Sequence, residues 1–303
     1  MRCEPGFAAS DLMGVRNMSD VSVLGLGNMG TALAKSLLAS GRSVTVWNRS
    51  AEKAQPLAEA GAEIALSVED ALAASDIAVS CLKNHETVTE LLRPVSGKLT
   101  GKTILDLSTG GAEEAEELVD VLTEAGADWL IGMINAYPSG IGKAETSILC
   151  ASPNNVWDKC GDIIRTMGGA SDHVGTTPAA VPGLFAAMFT ARQGFMFGMI
   201  YGGAVCRRAG VPMEVFAAQL PVTLGMAGSY AETFRRTVPA QSYDKSEATL
   251  AVYLAALNDV LSTFESTGTA DDFPRLMRDL TQSGIDKGLA AKDLTVLVEM
   301  LSA

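Results

Sequence analysis

Three glycines, Gly25, Gly27 and Gly30, fall at G-x-G-x-x-G spacing in the run VSVLGLGNMG, residues 21 to 30. A turn of this kind suits a phosphate ligand. The first glycine permits a tight turn, the second lets the backbone approach a pyrophosphate, and the third lets the next helix pack on the strand. Leu26, Asn28 and Met29 complete the turn, and the N-terminus of the helix faces the phosphates. A second apolar run, Val44 to Trp47, leads into Asn48-Arg49-Ser50, where a site for an unphosphorylated ribose normally carries Asp or Glu. Arg49 offers a planar fork suited to a 2′-phosphate, Ser50 a hydroxyl and Lys53 a further positive charge. The expected ligand is NADPH.

Ligands in doubly wound sheets bind outside the carboxyl ends of the strands, so strand ends locate the other candidates. Short apolar runs predict strands at Val21 to Leu24, Val44 to Trp47, Ile77 to Cys81, Thr103 to Asp106, Trp129 to Asn135 and Ser147 to Cys150. Helical spacing fills Thr31 to Leu38, Ala51 to Ala60, Val68 to Ala74, His85 to Leu92 and Ala112 to Ala125. The loop after the third strand then supplies Cys81, Leu82 and Lys83 to the cofactor, and the loop after the fourth supplies Ser108 and Thr109. Lys83 also reads as a solvated loop lysine, and Ser108 or Thr109 as a helix N-cap. Asn135, Tyr137 and Ser139 follow the fifth strand. Tyr137 is a candidate proton or hydrogen-bond donor, and Asn135 and Ser139 are candidates for the substrate pocket.

After Pro178 the strand signals stop and the chain reads as helical to its end. The expected organisation is an extension at 1–17, a dinucleotide-binding domain at 18–178, an interdomain helix at 179–209 and an all-helical substrate and dimerisation domain at 210–303. Pro182 suits a first helical turn, and the next break comes at Gly210-Val211-Pro212, which gives a helix of about seven turns. Further helices are expected at 213–236, broken or kinked at Pro221, and at 246–267, 272–284 and 291–302. The fold class is α/β: an N-terminal Rossmann domain with a doubly wound, mainly parallel sheet, then a long interdomain helix and an all-α C-terminal domain.

Composition narrows the function. At 303 residues, 48% hydrophobic and 19% charged, the chain reads as a soluble globular protein of two domains. Its net charge of −12 argues against nucleic acid. The apolar stretch from Gly194 to Cys206 is too short for a membrane span. Five cysteines without a C-x-x-C fit reduced thiols in the cytoplasm, and two histidines are too few for an imidazole metal site. Residues 1–17 lack a signal-peptide core and are expected to be poorly tied down. The apolar long helix predicts a homodimer.

The G-L-G-x-M-G turn, the Asn-Arg-Ser after the second strand and the Asp106-Leu-Ser-Thr-Gly loop resemble the β-hydroxyacid dehydrogenase superfamily. Within it, Ile141-Gly-Lys-Ala-Glu-Thr-Ser-Ile-Leu-Cys and Pro182-Gly-Leu look more like NADPH-dependent imine reductases and reductive aminases. The resemblance covers residues 20–302 and implies reduction of C=N bonds in a dimer with interlocked helical domains, acting on a small imine or on a carbonyl compound and an amine. It also exposes three departures. Hydroxyacid dehydrogenases use a lysine on the long helix, and no lysine lies between Lys159 and Lys245. Imine reductases usually place Asp or Tyr where this chain has Phe189, and Asp259 falls where many carry His.

Imine reduction needs either a proton donor or a cationic substrate. Phe185, Phe189, Arg192, Gln193 and Met196 share one broad helix face. An aromatic face there stabilises an iminium by roughly 0.5 to 2 kcal/mol. Phe189 with Tyr137 and Asp259 form the catalytic candidates; Phe185, Arg192, Gln193 and Tyr243 join the candidate substrate pocket. Phe185 and Met196 equally suit a plain core, Asp259 a solvated face, and Tyr243 simple packing. Two other readings stay open: a carbonyl or β-hydroxyacid reductase in which Tyr137 or Ser139 replaces the lysine, and a non-catalytic NADPH-binding protein.

Overall fold

A computed structural model of the chain describes residues 18–302; the expectations for residues 1–17 lie outside them. Residues up to Met188 and from Phe189 onward form two compact units. The first is built on an eight-stranded sheet in the order β3-β2-β1-β4-β5-β6-β7-β8. In chain order its elements are β1 (Val21–Leu24), α1 (Asn28–Ala39), β2 (Val44–Trp47), α2 (Gln55–Ala58), β3 (Glu63–Ile64), α3 (Val68–Ala74), β4 (Ile77–Ser80), α4 (His85–Leu92), β5 (Thr103–Asp106), α5 (Ala112–Glu124), β6 (Asp128–Ile134), β7 (Ile148–Ala151), α6 (Asn154–Met167) and β8 (Asp172–Gly175).

Alternation along β1 explains the layers. Val21 and Val23 turn to a core with α1 and α6, through Leu33, Leu37, Ile164 and Met167. Leu24 turns to the opposite core with α3, α4 and α5, through Leu72, Leu92 and Leu118. Helices therefore cover both faces, which is why the inner strands read as continuous apolar runs. The sheet is parallel except where β6 meets β7, which run antiparallel with Ile131 opposite Ala151. Two short strands, β3 and β8, and the amphipathic α6 were not anticipated.

The order reverses at β1, which lies between β2 and β4. This switch point opens the crevice in which such sheets bind dinucleotides.

The helix α7 (Ala180–Arg208) has 29 residues and runs across the division between the units. The second unit continues with α8 (Met213–Thr237), α9 (Leu250–Ser266), α10 (Asp272–Asp286) and α11 (Leu297–Leu301). Pro221 lies inside α8 without ending it, so the helix is not broken there. The buried cluster of this unit is small: Tyr243, Leu250 and Val296, flanked by Ile285 and Leu297.

Candidate active site

The turn between β1 and α1 is set by close approach. Gly25 has φ of +98°, in the left-handed region, and a Cβ there would lie 2.5 Å from the Cys81 carbonyl oxygen. At Gly30 a Cβ would lie 2.0 Å from the carbonyl oxygen of Gly25, so the helix can start here only with glycine. Gly27 caps α1 with no side-chain hydrogen bond, and its own Cβ would enter open space. The first N–H groups of α1 are thus left for an anion, and the backbone can reach it.

Asn48 does more than follow β2. Its Oδ1 accepts from the Leu26 amide at 2.8 Å, and its Nδ2 donates to the Ser50 carbonyl at 3.0 Å. It braces the glycine turn against the loop bearing Arg49 and Lys53, whose side chains are exposed. Neither cation enters an ion pair among the described residues. An open glycine cradle beside two exposed cations fits a dinucleotide with a 2′-phosphate.

Beyond the turn, on the side of β4 and β5, lies a cavity of about 260 Å³ lined by Met29, Cys81, Leu82, Ser108 and Thr109, with Pro182 and Phe185 from the first turns of α7. A dinucleotide laid along the strand ends with its adenosine end at Arg49 would bring its other end toward this cavity. Burial, and then the negative charge of Asp106, push the Cys81 thiol up to about 12. Cys81 is therefore a neutral lining group at physiological pH.

Ser108 is not a helix cap. The helix α5 is capped by Gly111, while Ser108 Oγ accepts from the Leu82 amide at 3.0 Å and donates to Asp106 Oδ1 at 2.6 Å. It joins the loop after β4 to the loop after β5. Asp106, fully buried, also accepts from Ser80 Oγ at 2.8 Å and from the Ser108 amide at 3.1 Å, and lies 2.6 Å from His85 Nδ1. His85 opens α4, is 2% exposed and lines the cavity. Sequence reasoning placed neither His85 nor Asp106 in the site. The available signal was a histidine, one of only two in the chain, at the head of a helix that follows a cofactor-side strand.

Other sequence candidates are distributed differently. Lys83 is exposed, as its solvated reading expected. Asn135, Tyr137 and Ser139 are exposed after β6 and do not line the cavity; Tyr137 is 85% exposed. In the second unit Arg192 Cζ stands 5.3 Å from the centre of the Phe189 ring, Gln193 is half-buried, and Asp259 is exposed on α9. Tyr243 is buried in its own unit and donates to Glu299 Oε1 at 2.5 Å. That bond, then burial and the Glu299 charge, hold its hydroxyl up at about 12. Tyr243 thus has a packing role in the helical unit.

Residues 20–175 match the family described as the NAD binding domain of 6-phosphogluconate dehydrogenase. Residues 183–303 match the C-terminal domain of NADPH-dependent reductive aminase-like proteins. The chain belongs to the imine reductase and reductive aminase family. An NADPH-dependent reductive aminase of Aspergillus oryzae is 26% identical over 282 residues, 92% of this chain and 96% of that protein. An imine reductase of Myxococcus stipitatus, the V8 variant in complex with NAD+, aligns with a TM-score of 0.86 and 28% identity over 93% of this chain and 99% of its own. A reductive aminase of Aspergillus terreus, in complex with NADPH and ethyl levulinate, aligns with a TM-score of 0.78 and 27% identity over 94% and 99%. Family membership accounts for the order of the units: a dinucleotide-binding α/β domain followed by a helical one.

Proposed function

We propose that this imine reductase family member reduces C=N bonds, imines and iminium ions, to amines with NADPH. The observation that carries this is the succession of two family matches along one chain, a dinucleotide domain and then a reductive aminase-type helical domain. Bound NADPH supplies a hydride from the dihydronicotinamide. The chain itself supplies the seat. The turn at Gly25 to Gly30 takes the pyrophosphate, and Arg49, Ser50 and Lys53 take the 2′-phosphate. Leu82, Ser108 and Thr109 border the hydride end, in a cavity whose apolar lining limits water.

Phe189 offers no proton, and its ring with Arg192 above it forms an aromatic, cationic surface. Tyr137 and Asp259 are the remaining candidates from the sequence, and each is exposed on its own unit. Substitution of either by Phe or Asn respectively tests its part in turnover.

A homodimer is supported by the apolar surface of the helical unit. From Gly183 to Arg208 no residue of α7 is buried, with Ile200 at 63% exposed, and on α8 Met226 is 71% exposed. Such a surface is characteristic of an obligate interface between like subunits. No helix among the described residues is long and apolar enough to cross a membrane, and four described cysteines are free thiols, which suits a reducing compartment such as the cytoplasm.

The experiment is a parallel assay of NADPH oxidation with cyclic imines, with ketone and amine pairs, and with small aldehydes and keto acids. Amine formation from the first two sets is the expected result. Turnover of the carbonyl compounds alone would replace this reading with that of a carbonyl reductase.

A further inference from the structure

The C=N reduction proposed above needs a proton as well as a hydride, and Phe189 cannot give one. We propose that His85, held by Asp106, is the proton donor at the hydride end of the cofactor site. This rests on the reductase reading and adds to it a catalytic residue that sequence reasoning overlooked.

The hydrogen bonds fix the tautomer. Asp106 Oδ1 accepts three bonds, from Ser80 Oγ, Ser108 Oγ and the Ser108 amide. With Oδ1 taken up as an acceptor by these three donors, the 2.6 Å contact on Oδ2 is the bond that His85 Nδ1–H donates. The ring edge carrying Cγ and Cδ2 packs on Gly110, where an added Cβ would lie 2.4 Å from Cδ2. Nε2 is then the one polar ring atom left over. It has no hydrogen-bond partner among the described residues, yet it is not among their sealed, unpartnered atoms, and His85 lines the cavity. A carboxylate behind one imidazole nitrogen with the other facing a ligand cavity is the arrangement of a general acid and base.

Asp106 on β5 faces Nδ1. Glu114 on α5 brings Oε2, a buried oxygen without a hydrogen-bond partner, within 2.8 Å of that same added Cβ on Gly110. Cys81, after β4, is a neutral thiol in the same lining. Two carboxylates therefore lie close to the imidazole.

The step balances simply. As the C=N carbon takes the hydride, the π electron pair moves to nitrogen and forms an N–H bond with the proton from Nε2. The imidazolium becomes the neutral Nδ1–H imidazole, and water returns the proton through the cavity mouth.

The test separates donation from support. His85→Asn places an amide N–H where Nδ1 stood, keeping the bond to Asp106, and removes Nε2. Two substrates are compared: a cyclic imine that must gain a proton and an N-alkylated iminium ion that arrives charged. The expected result is a fall in the imine rate relative to the iminium rate on the order of 100-fold, with the NADPH dissociation constant unchanged by fluorescence titration. In parallel, ¹⁵N NMR of the apo protein reads the imidazole directly, with His173→Gln leaving a single ring. The neutral ring is expected to carry its proton on Nδ1, and Asp106→Asn is expected to shift the balance between the two tautomers. Equal losses on both substrates, a loss explained by weaker NADPH binding, or a neutral ring that carries its proton on Nε2 would overturn the proposal. A wild-type protein inactive on both substrates would instead overturn the reductase reading itself, and this role with it.

Discussion

Arg49 and Lys53 sit on the loop that Asn48 ties to the glycine turn, so the charge proposed to select the cofactor and the backbone proposed to hold it are mechanically joined. Arg49→Ala removes charge-assisted hydrogen bonds worth about 1.5 to 3 kcal/mol, which is roughly 10- to 150-fold in affinity. Isothermal titration is expected to show that loss for NADPH and little change for NADH. Asn48→Ala is expected to weaken both cofactors, because it frees the Leu26 amide and loosens the turn rather than the phosphate contact. Gly30→Ala is expected to abolish binding of either, since the Gly25 carbonyl oxygen occupies the space its Cβ needs. The motif residues were readable because glycine spacing and a missing acid are local signals. Asp106 and His85 were not, because their meeting depends on where α4 begins relative to the end of β5, 21 residues away in sequence.

Among the elements, the inner strands and the helices α3 and α4 follow directly from their residues. Val68–Ala74 and His85–Leu92 carry the caps Ser67 and Asn84, which accept from the amides of Asp70 and Thr87. The strand β3 escaped sequence reading because its two residues, Glu63 and Ile64, are exposed at the sheet edge and carry no apolar run. The antiparallel pairing of β7 was likewise invisible, since a buried apolar strand reads the same in either direction. In the helical unit, Asp293 shows how a short linker is anchored. Ser246 Oγ donates to its Oδ2 at 2.6 Å, and the Thr295 amide and hydroxyl donate to its Oδ1 at 2.9 and 2.7 Å. Burial would raise its pKa, but these bonds, with the charge of Arg236, hold it below the usual carboxylate range. Its stabilisation is therefore complete above the ordinary aspartate value and is lost as pH falls through the lower native one. Chemical denaturation of Asp293→Ala at neutral pH is expected to show a loss of about 2 to 3 kcal/mol. The gap to wild type should close below about pH 4.

At the scale of the whole molecule, the helical unit buries little of itself, which the apolar run on α7 announced and the exposure of Ile200 and Met226 supports. Light scattering is expected to show a dimer at all concentrations at which the protein is active, and Ile200→Glu is expected to yield a less stable, dissociated species. A stable, active monomer would remove the argument for an interlocked pair. The central claim, that NADPH-dependent hydride transfer is directed at C=N bonds, is tested most directly by kcat/KM for one cyclic imine with each cofactor, set beside an aldehyde of similar size. The expected result is amine formation at least about tenfold more efficient with NADPH than with NADH, and slower or absent alcohol formation. Equal efficiency with the two cofactors, or reduction of the aldehyde in preference to the imine, would contradict the account.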